Sequence, residues 1–305
     1  MLERNKDYHG WLYLIIPLML LSLFTFYPLI RTFLISFDTA YDDANHVLHY
    51  QLGFKHFTDL FSVGSTFKQN LINTMVVVFI SVPVSTILAL AIAVGLNSIK
   101  PLQKIFQTIF FMPYVTNTIA IGMVFAVMFN KDFGLANTLL NWFGINPINW
   151  INLNTGDGMN STYMSKMFVI QFYIIWSALP FKILIFIGGL QNIGKQYYDA
   201  AKIDSTSRGR VLRKITIPLL SPIIAYILIT SFIGAFKTYD AVVGLFGSGS
   251  EHAEVQTIVW FIYQQIDFIN GGVYGRGAAA AVILFGIIMV FTGINLWVSN
   301  KKVHY

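Results

Sequence analysis

Three basic residues lie inside long apolar runs of the sequence, where a charge is costly: Arg31, Lys182 and Lys237. Such groups usually pair with one another, line a polar path, or reach the surface with a long side chain, as expected for Arg31. Lys237 and Asp240 are three residues apart and could pair on one helix face. Lys182 lies about 12 Å from the nearer end of its run at 1.5 Å per residue, too deep to reach solvent easily. From the sequence alone, Lys182 could either form a structural ion pair or line a polar path.

Aromatic residues near these charges could stack on the rings of a sugar. Because 16% of the chain is aromatic, most of these side chains are expected to pack against lipid or other helices. Trp176 and Tyr239 are the exceptions, since each neighbours polar residues within an apolar run. The residues predicted to line a substrate path are therefore Trp176, Lys182, Lys237, Tyr239 and Asp240.

Two further patterns could do chemistry, and both have a simpler explanation. Residues 189–195 read G-x-x-x-x-G-K, but Gln196 stands where a nucleotide-binding loop places a magnesium-binding Ser or Thr. His46, His49 and His56 share one polar segment without the spacing of metal ligands on a helix. The chain has no cysteine, which excludes disulfides and thiolate metal sites. We therefore expect no ATP, metal or other cofactor in this chain, and no catalytic site.

The composition is typical of a protein embedded in the lipid bilayer. Of its 305 residues, 55% are hydrophobic and 11% are charged, and the mean hydropathy is +0.63. The net charge of +6 could suggest nucleic acid, but no stripe of interleaved basic and aromatic residues is present. Most Lys and Arg fall between the apolar runs on one side of the expected topology, so the basicity reflects orientation in a membrane.

Six apolar runs reach the length that a helix needs to cross the hydrocarbon core. They lie at residues 11–37, 70–96, 105–129, 167–190, 219–246 and 278–298. The apolar stretch at 258–263 is too short to cross and is predicted to be interfacial or re-entrant. The expected fold class is an all-α integral membrane protein with six transmembrane helices. Because basic segments favour the cytoplasmic side, both termini are predicted to be cytoplasmic.

The whole chain, residues 1–305, is predicted to be a single transmembrane domain. Its core covers residues 70–300, and an N-terminal span with an outer segment precedes it at 1–69. The sequence shows no internal repeat and no soluble domain of useful size.

A basic segment between the fourth and fifth spans, residues 197–218, is predicted to have structure of its own. Its helix formers at 199–203 are followed by Asp204, Ser205 and Ser207, which can cap a new turn. Apolar residues four apart then indicate a second helix. The segment is therefore predicted to form two short cytoplasmic helices with a hinge at residues 204–207, and Pro218 suits the start of the next span.

The same segment resembles the signature E-A-A-x-x-x-G-(x)9-I-x-L-P of the permease subunits of binding-protein-dependent ABC importers. The three parts of the signature correspond to Asp199-Ala200-Ala201, Ser205 and Ile215-x-Ile217-Pro218. The spacing matches throughout, and Asp199, Ser205 and Ile217 are conservative departures. Ser205 matters most, because the glycine of the family permits a turn geometry that Ser tolerates less well.

The resemblance covers most of the chain and is closest to the sugar-permease branch that includes the maltose and glycerol-phosphate subunits. It implies a type I importer permease fold in a prokaryotic cell membrane, with a second permease subunit and an extracytoplasmic solute-binding protein as partners. It also implies two cytoplasmic subunits that bind ATP and Mg²⁺. The residues it assigns to ATPase coupling are Tyr198, Asp199, Ala200, Ala201, Asp204, Ser205 and Pro218.

A neutral sugar or oligosaccharide is the expected substrate. If Lys237 pairs with Asp240, Lys182 is left as the unpaired positive charge. A single lysine is a weak site for a phosphate, which usually attracts bidentate Arg or several donors. Gln264 and Gln265 suit a polyhydroxyl ligand better. The alternative within the family is an anionic solute such as glycerol phosphate. An ATP-independent secondary transporter and a membrane enzyme are alternatives from other classes, but neither internal repeats nor a clustered catalytic set is visible.

Overall fold

A computed structural model of the chain describes residues 7–99, 103–151, 161–247, 254–267 and 272–302. The helices in these ranges are α1 (Asp7–Leu21), α2 (Tyr27–Phe37), α3 (Lys55–Leu60), α4 (Phe67–Ser98), α5 (Gln103–Val115), α6 (Thr118–Met128), α7 (Leu135–Trp142), α8 (Tyr163–Asn192), α9 (Lys195–Ile203), α10 (Arg208–Val211), α11 (Ile217–Leu219), α12 (Ser221–Phe236), α13 (Asp240–Phe246), α14 (Ile258–Ile266) and α15 (Tyr274–Lys302). π-Helical turns at Ser22–Phe26 and Leu212–Thr216 join α1 to α2 and α10 to α11. The extended backbone contacts recorded in the described ranges are two isolated bridges in the segment after α2. The predicted all-α class is confirmed.

Four of the described helices are long and apolar enough to cross a bilayer by themselves: Tyr13–Phe37, α4, α8 and Tyr274–Ser299 within α15. Two bent helix pairs pass the same test together, α5 with α6 and Arg208–Leu219 with α12. The six-span prediction holds when each bent pair is counted as one span. The nine-residue α14 is too short to cross, as predicted for this stretch.

The third predicted span, 105–129, is not a continuous helix, which corrects the sequence prediction. α5 and α6 meet at an angle of 103°. Asn117 has an extended backbone and its side chain accepts the N–H of Ala120 at 3.1 Å, which caps a new helix. Pro113 lies in the last turn of α5 and cannot donate to that helix. Two helix-breaking signals therefore interrupt a run that is apolar enough on average to be predicted as one span.

The fifth predicted span, 219–246, also differs from a single helix. The helical path begins earlier, at Arg208, and bends by 68° between Leu219 and Ser221. α12 ends at Phe236, and α13 starts again at Asp240. The apolar residues of α13 are mostly buried within the protein, so the hydropathy of this stretch reflects internal packing.

By its internal contacts the chain divides into two compact units, Met1–Lys68 with Trp260–Gly286, and Gln69–Val259 with Ile287–Tyr305. In the first unit, the segment after α2 is organised around the buried carboxylate of Asp38. Its two oxygens accept hydrogen bonds, at 2.6–3.2 Å, from the backbone N–H groups of Ala40, His49, Tyr50 and Gln51. Burial raises the pKa of Asp38, but the four donors outweigh burial and hold the pKa below its usual value.

The start of α15 is fixed within the same unit. Asp43 Oδ1 accepts a hydrogen bond from the backbone N–H of Tyr274 at 2.9 Å, which satisfies a free donor of the first helical turn. Arg276 Nη2 lies 3.6 Å from Asp59 Oδ2. These contacts connect the N-terminal part of α15 to the segment that follows the first span.

In the second unit, two apolar clusters form the interior. One joins α4, α6, α8 and α13 around the aromatic pair Phe125 and Tyr173. The other joins α4, α8 and α12 around Ala93 and Phe186, which are both fully buried. Because lipid competes with apolar side chains, these contacts depend on close packing more than on exclusion of water.

Two glycines let α6 and α13 approach at backbone distance. A Cβ on Gly122 would lie 2.7 Å from the Cα of Gly244, and a Cβ on Gly244 would lie 2.8 Å from the carbonyl oxygen of Ile119. Neither position has room for a methyl group. Small residues at helix contacts are a common means of helix association in membranes.

A polar cluster joins the chain before α14 to the N-terminal ends of α4 and α8. The amide of Asn73, which is fully buried, donates to the carbonyls of Glu254 and Gln256, both at 2.8 Å. Asn73 Oδ1 accepts the hydroxyl of Tyr163 at 2.9 Å. Lys166 is 1% exposed and forms an ion pair with the carboxylate of Glu254. These hydrogen bonds and the ion pair fix three segments of the second unit to one another.

Candidate translocation path and coupling segment

A cavity of about 280 Å³ opens between α4, α5, α8 and α12 of the second unit. Seven of its fourteen lining residues carry a hydroxyl group: Ser81, Ser85, Tyr114, Ser177, Thr230, Ser231 and Thr238. The rings of Tyr114 and Phe181 stack at its edge, with centroids 5.7 Å apart. A cavity of this composition can exchange hydrogen bonds with a polar solute inside apolar helices.

Lys182 lines this cavity and is 4% exposed. It lies ten residues before the end of α8, which is about 15 Å along the helix. Its ammonium donates to Ser85 Oγ at 2.7 Å and to Thr86 Oγ1 at 3.2 Å, both on α4. Within the described ranges no carboxylate pairs with it. Of the two roles that the sequence allowed for Lys182, the structural ion pair is not formed within the described ranges. Lys182 lines a polar cavity instead.

The backbone of α4 orients both hydroxyl groups toward Lys182. Ser85 donates its proton to the carbonyl of Ser81, and Thr86 donates its proton to the carbonyl of Val82 at 2.7 Å. Each hydroxyl oxygen is then free to accept a hydrogen bond from the ammonium. Serine and threonine one turn after a carbonyl commonly bond in this way in apolar helices. In the described part of the chain, the acceptors that hold the Lys182 ammonium are therefore neutral hydroxyls.

The predicted pairing of Lys237 with Asp240 is wrong. Lys237 caps the C-terminus of α12, and Asp240 is the first residue of α13, so the two do not share a helix face. Both side chains are exposed, and the described residues contain no ion pair between them. The i,i+3 geometry is lost because the helix ends at Phe236.

Trp176 and Tyr239 do not line the cavity either. The indole of Trp176 packs on Phe125, with ring centroids 5.1 Å apart, at the edge of the aromatic cluster. Tyr239 is the residue that precedes α13 and is half-buried there. Of the five residues predicted for the path, the structure places Lys182 alone in the wall of this cavity.

The hydroxyl residues of the cavity are the ones that sequence reasoning missed. Ser81 and Ser85 are four residues apart in the second apolar run, and Thr230 and Ser231 are adjacent in the fifth. Several hydroxyl residues on one helix face of an apolar run can indicate a polar cavity. A single serine or threonine is a weak indicator, because both residues are common in spans.

His46 and His56, two of the three histidines in the segment after α2, make structural contacts in the first unit. His56 Nε2 lies 3.0 Å from the backbone oxygen of Asp38, and its ring is buried. Arg31 Nη2 donates to the carbonyl of His46 at 3.0 Å, as expected for an arginine that reaches the end of its span. In the described part of the chain, no three His, Asp or Glu side chains gather as a metal site would require.

The basic segment forms two short helices, α9 and α10, joined by a turn at residues 204–207, as predicted. Ser205 has φ of +52°, the left-handed conformation that costs an L-residue about 1–2 kcal/mol. The N–H of Thr206 closes the turn on the carbonyl of Ala201 at 3.0 Å. This geometry explains why the family signature has glycine where this chain has Ser205.

α9 has an inner and an outer face. Tyr198 and Ala201 face inward: Ala201 is 6% exposed, and the Tyr198 hydroxyl lies 3.3 Å from Thr216 Oγ1. A cavity of about 630 Å³ separates this face from the ends of α4 and α8. Ala200 is exposed, and Ile203 is 84% exposed although it is large and apolar. Of the alanine pair, Ala200 is exposed and Ala201 is buried within this chain.

The other residues predicted to act in coupling lie around α9. Asp199 and Lys202 form an exposed ion pair at 3.3 Å, and Asp204 ends the helix in an exposed position. Pro218 lies within the three-residue α11 and lines a second apolar cavity against α15.

Apolar spans, a hydroxyl-lined cavity within them and a basic two-helix segment between two of them define a membrane transport component. The family of binding-protein-dependent transport system inner membrane components matches residues 81–304. The chain belongs to this family. It is a multi-pass permease subunit of an ABC importer, and the predictions of a transport subunit and of membrane localisation are confirmed. Family membership does not favour the secondary transporter or the membrane enzyme.

Two relatives and one solved structure are similar over most of the chain. The arabinooligosaccharides transport system permease protein AraP of Bacillus subtilis (strain 168) is 31% identical, over 91% of this chain and 84% of its own. The trehalose/maltose transport system permease protein MalF of Thermococcus litoralis is 30% identical, over 73% of this chain and 72% of its own. A bacterial alginate ABC transporter, crystallised in complex with an alginate pentasaccharide-bound periplasmic protein, matches with a TM-score of 0.80 over 98% of this chain and 97% of that chain. At 20% identity this likeness shows the fold, which is the importer permease fold that the sequence predicts.

Proposed function

We propose that the chain forms one half of the translocation path of a prokaryotic ABC importer for a neutral sugar or oligosaccharide. The two relatives described above are permeases for arabinooligosaccharides and for trehalose and maltose. Their names support a carbohydrate as the substrate, and the chemistry of the cavity narrows the proposal to a neutral one.

The cavity around Lys182 carries this proposal. Its described lining has seven hydroxyl groups, one ammonium and no carboxylate. Ser177, Thr230 and Thr238 donate their own protons to backbone carbonyls, so their oxygens can accept hydrogen bonds from the hydroxyls of a sugar ring. A lysine has three N–H donors, and two of those of Lys182 are used by Ser85 and Thr86. One donor is left for a solute, whereas an anionic group usually attracts several cationic donors.

The exposed face of α9 is proposed to dock into the cytoplasmic ATPase. Ile203 and Ala200 would form its contact surface, because they are exposed on a short helix between two spans. Tyr198 and Ala201 would transmit the movement, because they connect the helix to its own subunit. ATP and Mg²⁺ would bind to the partner ATPases and not to this chain. ATP would then shift the permease between two states by its differential affinity for them.

The remaining partners follow from the type of transporter. A second, similar permease would complete the path, two ATP-binding subunits would drive it, and an extracytoplasmic solute-binding protein would deliver the sugar. The family description refers to binding-protein-dependent transport, and the alginate transporter was crystallised with its periplasmic protein. Both facts support the binding protein as a partner. In this arrangement α9 and both termini face the cytoplasm.

The proposal can be tested at Lys182 in the complete importer, reconstituted in proteoliposomes with its ATPase and binding protein. Lys182→Gln keeps a donor and removes the charge, and is expected to lower uptake of the neutral oligosaccharide by at most about tenfold. Lys182→Met leaves the Ser85 and Thr86 oxygens without their donor and is expected to lower uptake further. Lys237→Gln, at an exposed position, serves as the control and is expected to leave uptake unchanged.

A different pattern would support the anionic alternative. If Lys182→Gln abolishes uptake while Lys182→Arg preserves it, the charge itself is required. Copurification of the ATPase with each variant shows that the complex has assembled, so a loss of uptake reports on transport. Under that outcome, the neutral sugar would be replaced by a solute such as glycerol phosphate.

A further inference from the structure

A cavity of about 450 Å³ lies between the α11–α12 segment and the last turns of α15, all within the second unit. Its long wall is apolar and includes Ile224, Leu228 and Ile229 of α12. From Ser221 to Ile229 this wall is about 12 Å long at 1.5 Å per residue. None of its lining residues belongs to the hydroxyl-lined cavity around Lys182.

The polar residues of this groove lie where α12 begins and in the last turns of α15, and this part is called its polar end here. Ser221 opens α12, and Asn295 and Ser299 lie near the end of α15. Asn295 uses its amide to donate to the carbonyl of Phe291 at 2.8 Å. Ser221 Oγ is buried and has no hydrogen-bond partner in the described part of the chain. A buried hydroxyl without a partner is costly, and a ligand oxygen in the groove would satisfy it.

Basic residues follow beyond this polar end. Arg213 and Lys214 are exposed in the π-helical turn just before Ile217, and Lys301 is exposed at the end of α15. The ammonium of Lys301 lies 4.0 Å from the ring centroid of Trp297. The sequences 205–239 and 272–305, which supply both walls, contain no Asp or Glu. Lys214 also lines a separate cavity with Asp204 of α9, but none of the three basic residues forms an ion pair among the described residues. This end of the groove therefore has an excess of positive charge.

We propose that the groove binds one anionic phospholipid, with an acyl chain along α12, a glycerol ester at Ser221, and the phosphate at Arg213, Lys214 and Lys301. Apolar, polar and cationic groups follow one another here in the same order as the parts of such a lipid. Basic sites between transmembrane helices commonly bind anionic headgroups. An apolar helix of a partner subunit would cover the wall but would leave Ser221 and the cations without a partner.

A lipid bound in this groove is expected to affect transport, because of where the groove lies. The groove lies beside the 68° bend that joins Arg208–Leu219 to α12. A lipid held on both sides of this bend would favour one angle between the basic segment and the fifth span. The importer is therefore expected to need anionic lipid for full activity, in addition to its binding protein and ATP.

The direct test uses phosphatidylglycerol with a photoreactive acyl chain, in nanodiscs of phosphatidylcholine that contain the assembled importer. Mass spectrometry of the crosslinked peptides is expected to place the label on α12 between Ser221 and Ile229. Ala225→Trp fills the groove and is expected to lower this labelling at least about fivefold. Replacing Lys214 by Gln is expected to lower it about fivefold, the effect of one basic residue beside an anionic lipid.

Two controls make the outcome decisive. Tyr226→Trp adds similar bulk at the next, exposed position outside the groove and is expected to leave labelling unchanged. A photoreactive phosphatidylcholine probe is expected to label α12 less than phosphatidylglycerol does. Equal labelling by both probes, or full labelling in Ala225→Trp, would show only annular lipid or a covering partner helix and would overturn the proposal. If Ala225→Trp fails to assemble, the exposed Lys214→Gln variant decides by the same labelling.

Discussion

Two buried charged residues are accommodated by neutral hydrogen-bonding groups. Lys182 donates to two hydroxyls of α4, and Asp38 accepts from four backbone N–H groups. Hydrogen bonds to a charged group are stronger than those between neutral groups. Each charge is therefore held without a fixed counterion among the described residues. For Lys182 this leaves the ammonium available to a passing solute. For Asp38 it makes the local fold sensitive to pH.

The pH dependence of the first unit is predicted from Asp38. Its pKa is lower in the folded chain than in the unfolded chain, so the ionised carboxylate stabilises the fold above the unfolded value of about 3.9. This contribution is lost as the pH falls through the folded pKa. The melting temperature in detergent is therefore expected to fall as the pH drops below about 4 in the wild type, and to fall less in Asp38→Asn. Asp132→Asn, at an exposed position, is the matched control, and an equal fall in all three proteins would contradict the prediction.

At the scale of the elements, the breaks in the spans decide where polar groups are placed. The 103° turn between α5 and α6 and the end of α12 at Phe236 both lie within stretches that hydropathy predicts to be single spans. The end of α12 exposes Thr238 to the hydroxyl-lined cavity, and α13 then packs on α6 through Gly122 and Gly244. The contact between Gly122 and Gly244 thus fixes the position of α13, which begins shortly after the cavity residue Thr238.

Substitution of one of these glycines provides the test for this contact. Gly244→Ala places a methyl group 2.8 Å from the Ile119 carbonyl oxygen, and such overpacking costs about 1–3 kcal/mol. The variant is expected to melt at a lower temperature in detergent. Gly286→Ala lies in α15, where a Cβ would meet nothing within 4 Å, and is expected to be neutral or slightly stabilising. Equal melting of both variants would argue against the close contact.

The sequence predicted the existence of the spans better than their continuity. The spans at 11–37, 70–96, 167–190 and 278–298 are continuous helices close to the predicted bounds, because hydropathy reports directly on spanning segments. The break at Asn117 was missed because hydropathy averages over one polar cap within an apolar run. Lys182 was found because a charge in such a run is rare, whereas the hydroxyls around it were not. The direction that Ala201 faces depends on tertiary packing, which no local pattern contains.

The two faces of α9 lead to opposite predictions for neighbouring residues. Ala200→Glu changes the exposed face, and is expected to leave the subunit in the membrane at normal levels while uptake is lost and ATPase copurification falls. Ala201→Glu places a charge at a buried position, and is expected to lower the amount of folded subunit itself. Membrane level, ATPase copurification and uptake are measured together for both variants. Uptake within twofold of the wild type in Ala200→Glu, at normal membrane level, would exclude docking through this face.

At the scale of the whole molecule, the distribution of charge predicts a side of the membrane for two connecting segments. The segment between the fourth and fifth spans has Lys195, Lys202, Arg208, Arg210, Arg213 and Lys214 against Asp199 and Asp204. The segment 130–165 has only Lys131 against Asp132 and Asp157. Short loops rich in Lys and Arg remain on the cytoplasmic side. The docking of α9 and the position of the anionic lipid both require this orientation.

The orientation can be measured with single cysteines, because the chain contains none of its own. Asn141→Cys, at the exposed end of α7 in the segment 130–165, is expected to react with an impermeant thiol reagent applied to intact cells. Ser207→Cys, exposed in the turn before α10, is expected to react only after the cells are permeabilised. The unmodified chain provides the background, and permeabilised cells show that Ser207→Cys is reactive at all. Labelling of Ser207→Cys but not Asn141→Cys in intact cells would reverse the orientation, and α9 could then not reach a cytoplasmic ATPase.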